Sequence, residues 1–456
     1  MARRRGTAIV ETSEGILVTA GKQGSFLLPG GGAGKKESRE QATIRELKEE
    51  TGLKTYYSKY LFKHHAPHID SFGKKTSHRD LHKVFLIKAV GTPSPNYHDV
   101  SRIAFWKPGS NLDIDSTTRE IIKRYTKQYQ RNLNEKDRDL AFFKNYRFNK
   151  CQNMLLGTAI GDAFGVAFEG MKREKVHNHF QFDHYSRKKH KWKAGKYTDD
   201  TQMSIAVAEL LISEKEFNKI NLADKFVEVY RRNPHSGYGS SVREGLKKSK
   251  NGLKFLQIIP GNKEGNGACM RAAPIGILPD IKDVIKYAKI NAEITHNTPS
   301  AIASSVCVAT ASHYFYYNLG NPKKIFDYCI EACKDIDYES IKYFQEVSNM
   351  KEFNAELLFG VEKKDYGVPV NGMRTAGAVL YILSKFYDNS ETALKESILL
   401  GGDTDSTGSI SLGIIAMNRG IKKLPFFLFR DLENEGYGRD YLIDLGEKLF
   451  LKYPVK

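Results

Sequence analysis

The apolar pattern of this 456-residue chain changes period once, near residue 150. Before that point apolar residues come in short runs broken by Gly, Pro and polar turns; beyond it they recur at helical spacing over long stretches. A chain of this length outgrows a single hydrophobic core, so the switch marks a boundary between two domains of different class. Residues 6–20 are predicted as two short strands around a turn at Ser13-Glu14-Gly15, and 26–32 (FLLPGGG) as a strand running into a glycine turn. The span 38–51 reads as a helix stopped by Gly52; strands follow at 54–64, 82–90 and 102–108, with a closing helix at 117–129. The charged stretch 131–149 lacks Pro and Gly and reads as a helical or semi-rigid linker. From residue 150 onward TQMSIAVAELLI, PSAIASSVCVATASHYFYY and GAVLYILSKFY predict a domain that is nearly all helix.

Charge is uneven. Residues 1–150 hold 29 Lys/Arg against 16 Asp/Glu, and the remainder 42 against 37, within a net charge of +18. The first third therefore carries most of the positive field, which attracts polyphosphate or nucleic acid or serves only as a solubilising surface. No apolar run reaches the roughly 18 residues of a membrane span, and the N-terminus lacks the apolar core of a signal peptide. Five scattered cysteines suit a reducing compartment, so the cytoplasm is expected and no membrane partner. His64, His65, His68, His78 and His82 cluster between two strands, but without H-x-H or HExxH spacing they suit loop or phosphate contacts better than a metal.

Chemistry concentrates first in Gly31–Leu53. Glu46, Glu49 and Glu50 stand at i, i+3 and i+4, which places three like charges on one helical face at a cost of a few tenths of a kcal/mol per pair. A hard divalent cation removes that cost; the alternative is an acidic surface helix. Arg45 lies beside the cluster and Glu37 one loop earlier. The segment resembles the Nudix box at every defined position: Gly31, Glu37, Arg45, Glu46, Leu47, Glu49, Glu50, Gly52 and Leu53. The resemblance implies an α/β/α Nudix fold over about residues 1–130 and hydrolysis of a nucleoside diphosphate linked to another group. It implies one or more Mg²⁺ held by Glu46, Glu49 and Glu50, with the Gly31 carbonyl as a further ligand. Glu46 is implied as general base, the alternative being a base outside the box, with Glu49 and Arg45 also in the catalytic set. Pro67, beyond the box, loosely fits the proline of members that split ADP-ribose.

The second concentration is a pair of turns, Thr198-Asp199-Asp200-Thr201 and Asp403-Thr404-Asp405-Ser406, each leading into an apolar helical stretch. Helix capping explains one such residue per turn; two acids flanked by hydroxyls in both turns also suit a pair of hard cations. The surrounding segments 157–170, 197–203, 236–246, 265–276, 294–301 and 401–415 together resemble the ADP-ribosylglycohydrolase family over about residues 150–456. This resemblance implies an all-α fold with two Mg²⁺ ions, Mn²⁺ being an alternative, held by Thr198, Asp199, Asp200, Asp403, Asp405 and Ser406. Ser406 stands where many members have threonine. It also implies catalytic roles for Glu169 and Asp405, and substrate contacts from Tyr238, Gly265, Asn266, Gly267 and His296; Asp162 reads as structural. The implied targets are an ADP-ribosylated protein or nucleic acid and free ADP-ribose. Together the two domains suggest a two-step eraser of ADP-ribose. Alternatives are a Nudix domain acting on capped or modified nucleic acid ends, or one domain acting as an ADP-ribose or NAD sensor for the other.

Overall fold

The computed structural model describes residues 2–12, 14–66, 79–96, 98–107, 109–128, 135–186, 193–234 and 237–455. Pro67, His68, His78 and Ser13 of the expected turn lie outside them. Contacts divide the chain into two units, Met1–Arg147 and Phe148–Lys456.

The first unit is built on a mixed sheet of six strands: β1 (Ala2–Thr12), β2 (Gly15–Ala20), β3 (Gly30–Gly32), β4 (Lys54–His65), β5 (Arg79–Val90) and β6 (Arg102–Trp106). Their order is β4-β5-β1-β2-β6, with β3 paired antiparallel to β1; only β1 and β5 run parallel. Side chains alternate across the pleat, so Ala8 and Val10 of β1 face one way and Ile9 the other. Ala8, Val10, Leu17 and Phe85 pack with Leu47 of helix α1 (Arg39–Thr51). Ile9, Val18 and Leu86 pack with Ile121, Ile122 and Tyr125 of helix α2 (Ser116–Gln128). A helix thus covers each face of the sheet.

Two sequence expectations are altered here. The strand expected over 26–32 is reduced to its glycines: Phe26 and Leu27 make only isolated bridges, and Pro29, which has no N–H to give a ladder, offers its carbonyl to Ala8 N at 2.8 Å. His64 and His82, the end residues of the strands expected over 54–64 and 82–90, are partners across β4 and β5 rather than contacts of the loop between them. His82 is buried against Thr7 Oγ1 (Nδ1 at 2.8 Å), and loss of water pushes its pKa down to about 3.

Within 131–149, helix α3 (Glu135–Asn145) sets Phe142 against Tyr56 of β4, ring centroids 4.1 Å apart. In the second unit every named element among the described residues is a helix. At its centre α4 (Lys150–Gly165) runs antiparallel to the helix Thr404–Arg419 at backbone contact. A Cβ on Gly161 would stand 2.2 Å from the Gly408 carbonyl oxygen, and one on Gly165 2.4 Å from that of Thr404. Only glycine permits this approach, and it brings Asp162 of α4 and the 403–406 turn to the same end of the pair. Helix α5 (Arg173–His179) follows, and then α6 (Asp199–Ile212), which begins at that same end. All five cysteines are buried and free. No helix among the described residues is long and apolar enough to cross a membrane.

Candidate active sites

In the first unit the glycine turn and α1 form one constellation. Ser38 caps α1 through a reciprocal capping box with Gln41, and Gly52 closes it in the left-handed region at φ 72°. The Glu46 carboxyl lies against Gly31, its Oε1 2.2 Å from where a Cβ would stand, so a side chain at 31 would displace that carboxyl. Arg45 gathers three acids: Nε to Glu37 Oε1 at 2.9 Å, Nη1 to Glu46 Oε1 at 2.9 Å and to Glu49 Oε2 at 2.8 Å. That pairing holds the Glu37 carboxyl below its usual range. The three box glutamates do not share one environment. Glu49 is 56% exposed and engaged by Arg45, whereas Glu50 accepts from Thr19 Oγ1 at 3.2 Å and its pKa is pushed up to about 7 by burial. Arg5, missed by sequence reasoning, donates to the Gly30 carbonyl at 3.0 Å and lowers the cost of ionising Glu50.

In the second unit the two acid-rich turns meet in a cavity of about 830 Å³. Thr198 caps α6, and Asp162 holds that turn from behind. Its carboxylate accepts from Thr198 N (2.9 Å), Thr198 Oγ1 (2.8 Å), Thr201 N (3.0 Å) and Thr201 Oγ1 (2.6 Å). On the facing side Gly401 and Gly402, both at φ 73°, turn the chain into Asp403, whose N–H donates to Val368 O at 2.9 Å. Glu169, Asp199, Asp200, Asp403, Asp405 and Ser406 all reach the cavity wall. Asn266 Nδ2 donates to Asp403 Oδ2, tying the glycine segment 265–267 to the second turn.

So many acids in little water raise one another. The Asp199 carboxyl is pushed up to about 8 by burial and then by Asp162, and Asp200 and Asp405 are raised well above the carboxylate range, again first by burial. Asp200 Oδ1 and Asp405 Oδ1 are buried without a hydrogen-bond partner. Buried polar atoms are nearly always paired, so these two mark a place where a ligand completes the site. Among the described residues, no three or more His, Cys, Asp or Glu side chains stand in ready-made metal geometry. The donor set nonetheless fits a hard divalent cation: oxygen only, anionic, with hydroxyls beside it. Mg²⁺ in particular needs one or two direct carboxylates and keeps several waters.

The expected substrate contacts divide. Gly265, Asn266, Gly267 and His296 line the cavity, as do Gly237 and Gly239, but Tyr238 between those two turns inward and gives its hydroxyl proton to Gln202 Oε1 at 2.5 Å. Gly267 also has a reason other than backbone access to a ligand: a Cβ there would lie 2.5 Å from His296 Cε1. Sequence reasoning missed Lys263 and Arg271, which share the wall. Arg271 is 1% exposed, a rare burial for a guanidinium and invisible in a motif read only for its glycines.

Comparison with known proteins agrees with this division of the chain. The family model described as ADP-ribosylglycohydrolase matches residues 144–456, and that described as NUDIX domain matches residues 2–125. The ADP-ribosylhydrolase ARH3 of Xenopus tropicalis is 28% identical over 344 residues, spanning 67% of this chain and 96% of its own length. The ADP-ribosyl-(dinitrogen reductase) glycohydrolase of Rhodospirillum rubrum is 23% identical over 275 residues, spanning 59% of this chain and 85% of its own. The crystal structure of a MutT NUDIX hydrolase from Burkholderia pseudomallei, 22% identical, covers 27% of this chain and 97% of its own with a TM-score of 0.24.

Proposed function

Because the chain belongs to the ADP-ribosylglycohydrolase family and carries a NUDIX hydrolase domain ahead of it, we propose that it is a bifunctional Mg²⁺-dependent eraser of ADP-ribose. In this reading residues 1–130 form an α/β/α Nudix domain, 131–149 a linker, and 150–456 an all-α glycohydrolase domain. The second domain breaks the bond between C1″ of the distal ribose and an acceptor; water adds to the carbon and the acceptor leaves with a proton. The first domain then hydrolyses the pyrophosphate of the released ADP-ribose to AMP and ribose 5-phosphate. The names of the relatives support an ADP-ribosylated target for the second domain; a protein or a nucleic acid fits equally.

The observation that carries the proposal is the meeting of Asp199, Asp200, Asp403 and Asp405 at one cavity with two unpartnered oxygens. Thr198, Asp199, Asp200, Asp403, Asp405 and Ser406 would hold two Mg²⁺ there, or Mn²⁺ in their place. Bound ions supply positive charge that fixes ribose hydroxyls and lowers the pKa of water. Asp162 orients the first turn and Asn266 the second. Glu169, on the same wall, takes a proton from water or positions the ribose as oxocarbenium-like charge develops at C1″. In the Nudix domain Glu46, Glu49 and Glu50, with the Gly31 carbonyl, would hold Mg²⁺. Arg45 orients Glu46 and Glu49, and Glu46 serves as general base.

The test uses a protein bearing labelled ADP-ribose on arginine. Wild type with Mg²⁺ releases label; EDTA, or Asp405→Asn, lowers the rate at least about a hundredfold. Release that persists in both would contradict the assignment. The surplus of 13 positive charges in residues 1–150 favours, as a second reading, a Nudix domain that acts on nucleic acid ends. RNA binding that weakens steeply with salt would support it. A cytoplasmic setting suits either.

A further inference from the structure

The wall of the glycohydrolase cavity contains a buried relay that the metal turns do not use. Arg271 sits over the Phe226 ring, 4.5 Å from its centroid, and is anchored by Asn291: Nε donates to Asn291 Oδ1 at 2.7 Å and Nη2 to the Asn291 carbonyl at 2.9 Å. Asn291 is in turn fixed by donating to the Ala268 carbonyl (2.8 Å) and Ser305 Oγ (3.0 Å). Arg271 Nη2 also donates to Thr295 Oγ1 at 2.9 Å, and Thr295 Oγ1 lies 2.7 Å from His296 Nδ1.

An arginine side chain has donors only, so Thr295 Oγ1 must accept from it. The Thr295 hydroxyl could accept from both neighbours, but its own proton is buried and cannot go to arginine, and His296 Nδ1 is the acceptor set beside it, so the imidazole accepts at Nδ1. A neutral imidazole accepting at one nitrogen carries its proton on the other. Nε2 is the nitrogen nearer to both Gly265 and Gly267, 3.4 and 3.1 Å from where their Cβ atoms would stand, and these two glycines line the cavity together with His296. Imidazolium is opposed by burial, Arg271 and Lys263, which together push the His296 pKa down to about 3.

We infer that His296 meets its ligand as a hydrogen-bond donor through Nε2–H, and that Arg271 and Thr295 are positioning residues that set this tautomer. The inference rests on the reading of this cavity as the ADP-ribose site; the chemistry that answers a fixed neutral donor is an oxygen acceptor of the nucleotide sugar, such as a ribose or phosphate oxygen. His296 is thereby excluded as the base that activates water, a role that would need an unprotonated nitrogen facing the cavity.

The tautomer is read directly by long-range ¹H–¹⁵N correlation on the full chain labelled in histidine, with the His296 signals assigned by their loss in His296→Gln. The expected pattern is an unprotonated Nδ1 and a protonated Nε2, unchanged from about pH 5 to about pH 8. Thr295→Val is expected to convert it to a mixture, and Thr295→Ser to restore it. In calorimetry with free ADP-ribose on the Glu49→Gln chain, whose Nudix domain leaves the titrant intact, His296→Gln places an amide N–H near Nε2 and should bind within about threefold of that parent, whereas His296→Asn reaches only the Nδ1 place and should lose about tenfold or more. A protonated Nδ1, an imidazolium, a tautomer indifferent to Thr295→Val, or Asn binding as well as Gln would overturn the inference. An Asp405→Asn change in the Glu49→Gln chain that leaves ADP-ribose binding unaltered would overturn the reading of the cavity instead, while the nitrogen spectrum would still decide the tautomer.

Discussion

Asp200 and Asp405 each keep one buried oxygen without a partner, and Asp199 beside them holds its proton up to about pH 8. These residues oppose the folding of the metal-free protein. The Asp199 pKa is raised in the folded state, from an ordinary 3.8 to about 8. The folded chain therefore binds the proton more strongly than the unfolded chain. The associated stability is complete below about pH 4 and is lost as pH rises through about 8. Metal-free protein is expected to melt earlier at about pH 8 than at about pH 6, with Asp199→Asn flattening the slope and Mg²⁺ raising the melting temperature most at the higher pH. Calorimetric scans in EDTA and in Mg²⁺ check this; a melting temperature that climbs between those pH values in EDTA while Asp199→Asn leaves the slope unchanged would contradict it. Asp405→Asn extends the same reasoning. Removing one of several mutually repelling acids should stabilise the metal-free protein by about 1 kcal/mol or more while abolishing release, as expected where function is built on unfavourable burial.

At the scale of elements, the site depends on how closely α4 approaches the Thr404–Arg419 helix. Gly161→Ala would drive a methyl group into the Gly408 backbone and should cost about 3 kcal/mol. Because Asp162 and Asp405 follow these backbones, the variant should also weaken Mg²⁺ binding; urea unfolding and metal titration read the two effects separately, and a neutral outcome in both would refute the packing argument. Much of this was legible beforehand. The Nudix segment declared its helix through the stop at Gly52, and the two acid turns declared their carboxylates, while the Ser38–Gln41 capping box emerged only in the structure. What was illegible depends on contacts distant in sequence. The direction of Tyr238 is set by Gln202, and the burial of Arg271 by Asn291, twenty residues on. The glycine at 267 answers to the His296 ring, and no local pattern reports such a neighbour. The strand expected over 26–32 failed for a local reason, the missing N–H of Pro29, which was readable and was outweighed by the apolar run before it.

At the scale of the whole molecule, two hydrolase units share one chain, and on the proposed function the product of one is the substrate of the other. In that proposal the bond broken at C1″ would leave a free nucleoside diphosphate sugar, and the Nudix carboxylate helix would cut its pyrophosphate. The most direct measurement follows all products with Mg²⁺ when an arginine-ADP-ribosylated protein and free ADP-ribose are offered separately to wild type, Glu49→Gln and Asp405→Asn. The two-step account predicts AMP from both substrates with wild type, ADP-ribose accumulating from the protein substrate with Glu49→Gln, and AMP only from free ADP-ribose with Asp405→Asn. Free ADP-ribose surviving intact with wild type would contradict it, and would turn the Nudix unit toward nucleic acid ends.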